Sequence, residues 1–394
     1  MSGTDVMQRH GQRSARRLLA AVAAALLGMS AAATSHAQLR SHGVTEIRFD
    51  VIDPPVVLQM DITQSHTTSN SAKIEKPIEC AGMFYVDGRL LIVSDRHEHC
   101  VFACAVDLTA MKIEPPKPFV IVPNEQYLLQ DGEAMTVLPR ANGSFTAYVT
   151  TSLSNHRTEQ PLPMRRHMAR FTFPSGDRFT PSRATVIDGT PIRETLSTHF
   201  DKLGIKPYRT YYEDSTAEDK NTYRWANVEG MTFTPDGKSV ICGLRNPLTG
   251  GNTGKALLFA MEHIDDAFDA GDARQVKVTD LFTLDLGDRG VSDLCWDPMT
   301  KGFLIAAGKS NGPKVSKDQP FPPNTLDSAL FWWSGRKSEK PILFATVPEM
   351  KIEAICRMGT SRFIAIGSDE GDESEGRSQR QSVITVMDFT GFGK

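Results

Sequence analysis

The sequence lacks several features that would assign it at once to a common class. Its 44 Lys+Arg against 47 Asp+Glu leave a net charge of −3, so it has no basic excess for nucleic-acid binding. Six cysteines without a C-x-x-C pair give a structural zinc site no support, and we expect them mainly as buried side chains. A G-x-S-x-G elbow is absent, which argues against a serine-triad hydrolase.

The first 37 residues carry the features of an export signal. The pair Arg16-Arg17 precedes an apolar run over residues 18–33, and small residues follow at Ser35 and Ala37, the two positions that signal peptidase reads. This apolar run is short for a membrane-spanning helix, although an uncleaved anchor is the alternative. No later segment has 18 uninterrupted apolar residues. We therefore expect residues 38–394 to be periplasmic or secreted, without a membrane span, and monomeric.

One pattern recurs five times along the mature chain: an acidic residue, an apolar stretch, a glycine-containing turn and a second apolar run. Short apolar runs joined by such turns predict β-hairpins rather than helices. Two more strand-like runs follow most of these hairpins, which gives four strands for every ~55–65 residues, the build of a β-propeller blade. The five acids are Glu79, Glu133, Glu229, Asp293 and Glu353.

The predicted fold is an all-β propeller of five four-stranded blades in a single domain, residues 38–394. The fifth unit is one strand short, and residues 44–51, which alternate as a strand should, are the candidate for its fourth strand. Such closure removes an exposed sheet edge. Residues 191–223, with a predicted helix over residues 192–203, are either a long insertion or a degenerate sixth blade. Residues 369–381 are expected to form a mobile acidic loop.

Four segments of the middle units carry a family resemblance: Asp-Gly-Glu-Ala at 131–134, Ser-Leu-Ser-Asn-His at 152–156, Asn-Val-Glu-Gly-Met at 227–231 and Gly-Leu-Arg-Asn-Pro at 243–247. They resemble an exported bacterial family catalogued only as a domain of unknown function, which is similar to the propeller group labelled "esterase-like activity of phytase". The resemblance spans about residues 75–390 and implies a propeller without an established reaction. Two positions depart from the pattern: Cys-Ala-Gly at 80–82 replaces its Glu-Gly form, and Asp293 replaces a glutamate.

Propeller topology predicts that the acids meet at one end of the central channel. The first strand of each blade starts at the face to which the second strand returns, so the acids lie near the residues that end each second strand. We predict a metal site of Glu79, Glu229, Asp293 and Glu353, with calcium as the natural ion because it takes carboxylate oxygens in flexible geometry. The alternative is that the acids simply pair with Arg96, Arg245 and Lys309.

Two functions use these residues differently. The first is a metal-assisted hydrolase of the phosphoesterase or lactonase type, with Glu133, Glu229, His156 and Arg245 as catalytic candidates. Its small, anionic substrate would be held by Lys309, Asn246 and Ser154. The second is a non-catalytic propeller of the cell envelope that binds a small ligand or an envelope protein. Propellers host both functions, so the fold does not choose between them.

Overall fold

The structure is a computed structural model. It describes residues 78–122, 125–154, 163–176, 178–205, 226–250, 253–310, 326–348, 350–369 and 382–391, together with the backbone of three earlier strands. These are β1 (Val56–Leu58), β2 (Ile62–Gln64) and β3 (Ile74–Lys76). Within these ranges, no helix is long and apolar enough to cross a membrane.

The strands form five antiparallel blades. Blade 1 contains β4 (Cys80–Val86), β5 (Arg89–Ser94), β6 (Cys100–Asp107), the short β7 (Lys112–Ile113) and β8 (Lys117–Val120). Blade 2 contains β9 (Gly132–Pro139), β10 (Ser144–Thr151), β11 (His167–Pro174) and β12 (Thr185–Asp188). Blade 3 contains β13 (Asn227–Phe233), β14 (Ser239–Asn246), β15 (Ala256–Glu262) and β16 (Lys277–Leu284). Blade 4 contains β17 (Arg289–Asp297), β18 (Gly302–Lys309), β19 (Ser328–Trp333) and β20 (Ile342–Val347). Blade 5 contains β21 (Ile352–Arg357), β22 (Phe363–Asp369), β23 (Ser382–Asp388) and β1.

The first strand of each blade lies at the centre of the molecule. Each packs against the first strands of the two neighbouring blades, in the ring order β4, β9, β13, β17, β21 and back to β4. The prediction of a five-bladed propeller is therefore confirmed. The predicted sixth blade is not found among the described strands, where the only further sheet is the β2–β3 pair.

An N-terminal strand closes the ring, as predicted, but it is a different strand. Residues Val56, Val57 and Leu58 pair with β23 and take the fourth position of blade 5. The predicted segment, residues 44–51, lies outside the described residues. Residues 44–51 have the longer alternating pattern, which is why they were predicted as the strand. The observed strand is a short apolar run, and only its pairing with β23 shows that it is a strand.

The residues between blades 2 and 3 begin with a helix. Helix α1 (Thr190–Lys202) matches the predicted helix, starts with a proline in its first turn and buries Ile192, Leu196 and Phe200. Residues 206–223 of the predicted insertion lie outside the described residues, as do residues 370–381 of the predicted acidic loop. A second helix, α2 (Ile264–Ala270), joins β15 to β16 and was not predicted, because it is only seven residues long.

The apolar core lies between the blades. One cluster packs blade 1 on blade 2, another blade 2 and α1 on blade 3, and a third blade 3 on blade 4. All six cysteines are buried, as expected for small core side chains, and none forms a disulfide. The core thus holds neighbouring blades face to face and leaves the polar groups of the first strands at the central channel.

Candidate active site

Each central strand contains a one-residue β-bulge near its start. In blade 2, Thr150 pairs with Ala134 and Thr151 with Gly132, so Glu133 is left without a partner on β10. The same shift of register occurs in the other four blades. A bulge turns the extra residue away from the ladder, and bulges are common beside active sites. The five extra residues, which we call the bulge ring, are Ala81, Glu133, Glu229, Ser292 and Glu353.

In two blades, the residue at the bulge position is not the acid that the sequence predicted there. Glu133, Glu229 and Glu353 occupy equivalent positions, as predicted. In blade 1 the position belongs to Ala81 instead of Glu79, and in blade 4 to Ser292 instead of Asp293. An acidic residue near the start of a strand does not determine which residue forms the bulge. An error of one residue changes the direction in which the side chain points.

The two displaced acids have other partners. Glu79 is buried just before β4, and its Oε2 lies 2.7 Å from Nε of Arg96. Asp293 is buried and accepts hydrogen bonds from the backbone N–H groups of Leu294 and Ile355, each at 2.8 Å. Asp293 therefore connects β17 to β21, and both of its carboxylate oxygens accept hydrogen bonds from backbone amides.

Glycines let the central strands approach one another at the level of the bulge ring. A Cβ atom on Gly82 would lie 2.7 Å from the backbone oxygen of Glu133, far inside contact distance. A Cβ on Gly230 would lie 2.9 Å from the backbone nitrogen of Leu294. Only a residue without a side chain fits such a close approach, so the glycine that follows the bulge brings adjacent ring positions together.

Arg245 connects three members of the bulge ring. It is itself the extra residue of a bulge on β14 and is almost fully buried. Its Nη1 lies 3.0 Å from Oε2 of Glu229, and its Nη2 donates to Oγ of Ser292 at 2.8 Å and pairs with Oε2 of Glu353. Asn227 donates to the other oxygen of Glu229 at 2.5 Å. The Arg245 guanidinium thus contacts side chains of blades 3, 4 and 5, and two of these side chains are carboxyl groups.

Lys351 supplies the second cation on this side of the channel. Its Nζ lies 2.6 Å from Oε1 of Glu353 and 2.6 Å from Oδ2 of Asp369. Burial disfavours the charged form, but the carboxylates of Glu353 and Asp369 outweigh this effect and raise the pKa of the Lys351 ammonium. Lys351 therefore stays charged, and its ammonium group already forms ion pairs with two carboxylates.

Blades 1 and 2 contribute a second group of acids and arginines. Arg165 forms an ion pair with Asp131 and donates to Oγ of Ser154 at 3.2 Å. Asp95, at the end of β5, lies near the Glu79–Arg96 pair. Burial, together with the negative charges of Glu79 and Asp131, raises the pKa of Asp95 well above its usual range.

Burial raises the pKa values of two glutamates of the bulge ring. Burial, with the charge of Glu353, raises the pKa of Glu229 to about 8, although Arg245 opposes the shift. Glu133 is only partly exposed to solvent. This burial, with the nearby Glu229, raises the pKa of Glu133 well above its ordinary value. Among the described residues, Glu133 has no ion pair or side-chain hydrogen bond.

Buried polar atoms without a hydrogen-bond partner concentrate at the same face. Asp95 Oδ1, Gln130 Oε1, Arg165 Nε, Asn227 Oδ1 and Arg245 Nε are such atoms, and all five residues lie at the channel end where the central strands begin. Folded proteins leave few buried polar atoms unpaired, and those that remain are frequent at functional sites. This face is therefore the candidate active site.

The remaining predicted site residues fall into three groups. Ser154 and Asn246 are buried and hydrogen-bonded, Ser154 to Ser152 at 2.7 Å and Asn246 to Ser310. Lys309 is exposed at the end of β18. His156 lies outside the described residues. Their predicted roles in substrate binding and proton transfer stay predictions.

Three residues of the site were not found from the sequence: Ser292, Lys351 and Arg165. The signal for Ser292 was present, because it precedes the acid of the fourth repeat by one residue. Lys351 and Arg165 lie outside the repeated pattern, Lys351 just before β21 and Arg165 in a short 3-10 helix before β11, and only their ion pairs with Glu353 and Asp131 identify them.

The four acids predicted to bind a metal do not converge. Among the described residues, no group of three or more His, Cys, Asp or Glu side chains is arranged to hold an ion. Glu229 and Glu353 share Arg245, Glu79 pairs with Arg96, and Asp293 accepts backbone amides. Calcium needs several free oxygens around one point, and this arrangement does not fit it. Calcium binding stays a prediction that thermal unfolding can test.

Fold and site together define a five-bladed propeller with a carboxyl–arginine cluster at one end of its channel. No protein-family model and no curated protein matches the sequence, so the family resemblance stays a prediction. Solved structures with a similar fold include a GH43 β-1,3-galactosidase with galactodeoxynojirimycin, at 10% identity and a TM-score of 0.42, covering 78% of this chain and 90% of that one.

Two further solved structures are similarly distant. A provisionally assigned exo-β-1,3-galactanase from Bifidobacterium bifidum s17 has 9% identity and a TM-score of 0.42, covering 81% of this chain and 91% of that one. A luciferin-regenerating enzyme has 10% identity and a TM-score of 0.34, covering 82% and 80%. Likenesses this distant say nothing about a shared reaction.

Proposed function

We propose that this protein is an exported hydrolase of carboxylic esters or lactones, and that Glu133 is its catalytic acid–base. The observation that carries the proposal is the state of Glu133. Glu133 is a partly exposed residue of the bulge ring, it has no ion pair within the described part of the chain, and its pKa is raised well above its ordinary value by burial and by Glu229. A carboxyl tuned in this way is suited to proton transfer near neutral pH.

One residue can perform both proton transfers. In its ionised form, Glu133 takes a proton from the attacking water as the water oxygen bonds to the ester carbonyl carbon. It then gives this proton to the leaving oxygen as the carbon–oxygen bond breaks, and it ends as the carboxylate again. A raised pKa makes Glu133 a stronger base in the first step and still leaves it able to donate in the second.

Glu229 and Arg245 act through Glu133 and are positioning residues. Arg245 fixes the orientation of the Glu229 carboxyl at 3.0 Å, and Asn227 holds its other oxygen at 2.5 Å. The held Glu229 carboxyl in turn raises the pKa of Glu133. Because the two titrations interact, the ionisation state of Glu229 sets the pH at which Glu133 becomes an effective base.

The charges at the site favour a neutral ester or lactone over a phosphate ester. Arg96, Arg165, Arg245 and Lys351 each already pair with a carboxylate. A phosphate dianion at Glu133 would therefore meet neutralised cations and several acids, and its desolvation would not be compensated. Lys309 is an exposed cation at the rim, so a negative charge on the substrate fits a part remote from the reacting carbonyl.

The second candidate is a binding propeller without catalysis. The mutual pairing of the Arg245, Glu229 and Glu353 side chains favours it, because such a network also describes a rigid scaffold that holds a ligand without reacting. This alternative requires that ligands raise the unfolding temperature without being hydrolysed.

The test is a hydrolysis screen with the purified protein. Aryl acetates and butyrates, γ- and δ-lactones and an aryl phosphate are compared at neutral pH. We expect turnover of a neutral ester or lactone, and a loss of about 10²-fold or more in kcat for Glu133→Gln. The matched control is Glu194→Gln, at an exposed position of α1, which should keep full activity. Wild-type turnover that survives Glu133→Gln unchanged would remove the proposal.

A further inference from the structure

The bulge ring is uneven in side-chain size. Four of its positions carry a functional group, and the fifth, Ala81 in blade 1, carries only a methyl group. Ala81 lies between Glu353 of blade 5 and Glu133 of blade 2, because β4 packs between β21 and β9. Beside Glu133, the ring therefore carries a methyl group at the position where blades 2, 3 and 5 carry a glutamate.

The position of Arg245 makes this difference larger. Arg245 contacts Glu229, Ser292 and Glu353 and so occupies the part of the ring formed by blades 3, 4 and 5. Blades 1 and 2 contribute two side chains to the bulge ring, the Ala81 methyl and the Glu133 carboxyl. A Cβ atom added to Gly82 would lie 2.7 Å from the backbone oxygen of Glu133, so β4 and β9 approach closely beside these two ring positions.

We propose that Ala81 is the specificity-determining residue that admits the reacting group of the substrate to the Glu133 carboxyl. This inference rests on the proposed function, in which Glu133 is the acid–base. Ala81 is 6% exposed, so the larger side chain of a leucine there would crowd Glu133 and exclude the reacting group. A small side chain would leave the entry open.

The chemistry around Ala81 also selects the group that enters. The Glu79 carboxylate and the Asp95 carboxyl lie on this side of the ring, and the nearby Arg96 is paired with Glu79. A neutral carbonyl group, whose oxygen can accept a hydrogen bond, fits this environment. An anionic group would be repelled by the acids, and the nearby Arg96 guanidinium is already paired with Glu79. The group at Ala81 is therefore the uncharged end of the substrate.

The test measures access to Glu133 directly and does not require turnover. The purified protein is treated with a water-soluble carbodiimide and an amine, and labelling of Glu133 is quantified by mass spectrometry relative to exposed Glu194 in the same sample. We expect Ala81→Leu to slow Glu133 labelling by about tenfold or more, and Ala81→Ser to leave it unchanged. Ala110→Leu, at an exposed turn, is the matched control.

The two proposals fail in different ways. Equal labelling of Glu133 in the wild type and in folded Ala81→Leu would overturn the role of Ala81, whatever the activity. A wild type that hydrolyses nothing would overturn the proposed function alone, because labelling still reports access. Should Ala81→Leu not fold, as judged by circular dichroism, Ala81→Val takes its place, with a smaller but still measurable decrease expected.

Discussion

Arg357 and Asp297 form a double ion pair that is almost completely buried. The Arg357 Nε lies 2.8 Å from Asp297 Oδ1 and its Nη2 lies 2.6 Å from Oδ2, with side-chain exposures of 2% and 0%. Arg357 belongs to β21 and Asp297 to β17, so the pair joins blades 4 and 5. Arg357 also donates to the backbone oxygen of Phe389, just beyond β23, at 2.8 Å. One side chain thus holds two blades and the C-terminal strand.

Removing this arginine should destabilise the propeller strongly. Arg357→Met leaves the Asp297 carboxylate buried without a cation, and breaking a buried pair in this way costs about 3–5 kcal/mol. The free energy of unfolding in urea measures the loss. The control is Arg336→Met, which removes the exposed Arg336–Glu339 pair and should have no measurable effect. Equal stability of the two variants would contradict the role given to Arg357.

The raised pKa of Glu229 predicts that stability falls with rising pH. Its pKa changes from 4.5 in the unfolded chain to about 8 in the folded one. Below the lower value both states hold the proton, and above the higher value neither does. Between them only the folded state holds it, so raising the pH favours unfolding.

Glu229→Gln should flatten this pH dependence, because an amide is neutral at every pH. We expect the unfolding temperature of the wild type to fall between about pH 5 and pH 8.5, and that of Glu229→Gln to fall less. Glu133 and Asp95 retain part of the slope, since their pKa values are also raised. Identical slopes in Glu229→Gln and in Glu194→Gln would show that Glu229 does not hold the proton.

Gly82 should not tolerate alanine. The added Cβ would lie 2.7 Å from the backbone oxygen of Glu133, and both atoms belong to rigid central strands. We expect a clear loss of stability in thermal unfolding, and a change in Glu133 labelling because the ring positions move apart. Gly88→Ala is the comparison, at a turn with open space around it, where only the positive φ opposes the substitution, at about 1–2 kcal/mol. A milder effect at Gly82 than at Gly88 would contradict the close approach.

Calcium gives a direct test of the predicted metal site. Because Glu229 and Glu353 share Arg245, we expect no increase in the unfolding temperature when calcium is added after chelation. The same measurement on Glu353→Gln provides the control. An increase of several degrees in the wild type that disappears in Glu353→Gln would establish the ion and revive the metal-assisted mechanism.

The strands of this protein were predictable because their signals are local. Alternating apolar residues and glycine turns gave hairpins close to the observed β4–β5, β9–β10 and β21–β22, and α1 was also predicted nearly to its bounds. The predictions were wrong where a difference of one residue determines which side chain occupies the bulge position. Glu79 and Asp293 were aligned with the glutamates of the other blades, but the bulges place Ala81 and Ser292 in those positions.

The sequence by itself indicated five blades, with a degenerate sixth left open, the strands that build them and the end of the channel at which the acids collect, because period and turn chemistry act over a few residues. Tertiary structure decided which acids face one another and which hold protons. Both depend on the phase of five bulges, on the reach of Arg245 across three blades, and on burial that raises the pKa values of Glu133 and Glu229. These are properties of contacts between blades, which no single segment of the chain contains.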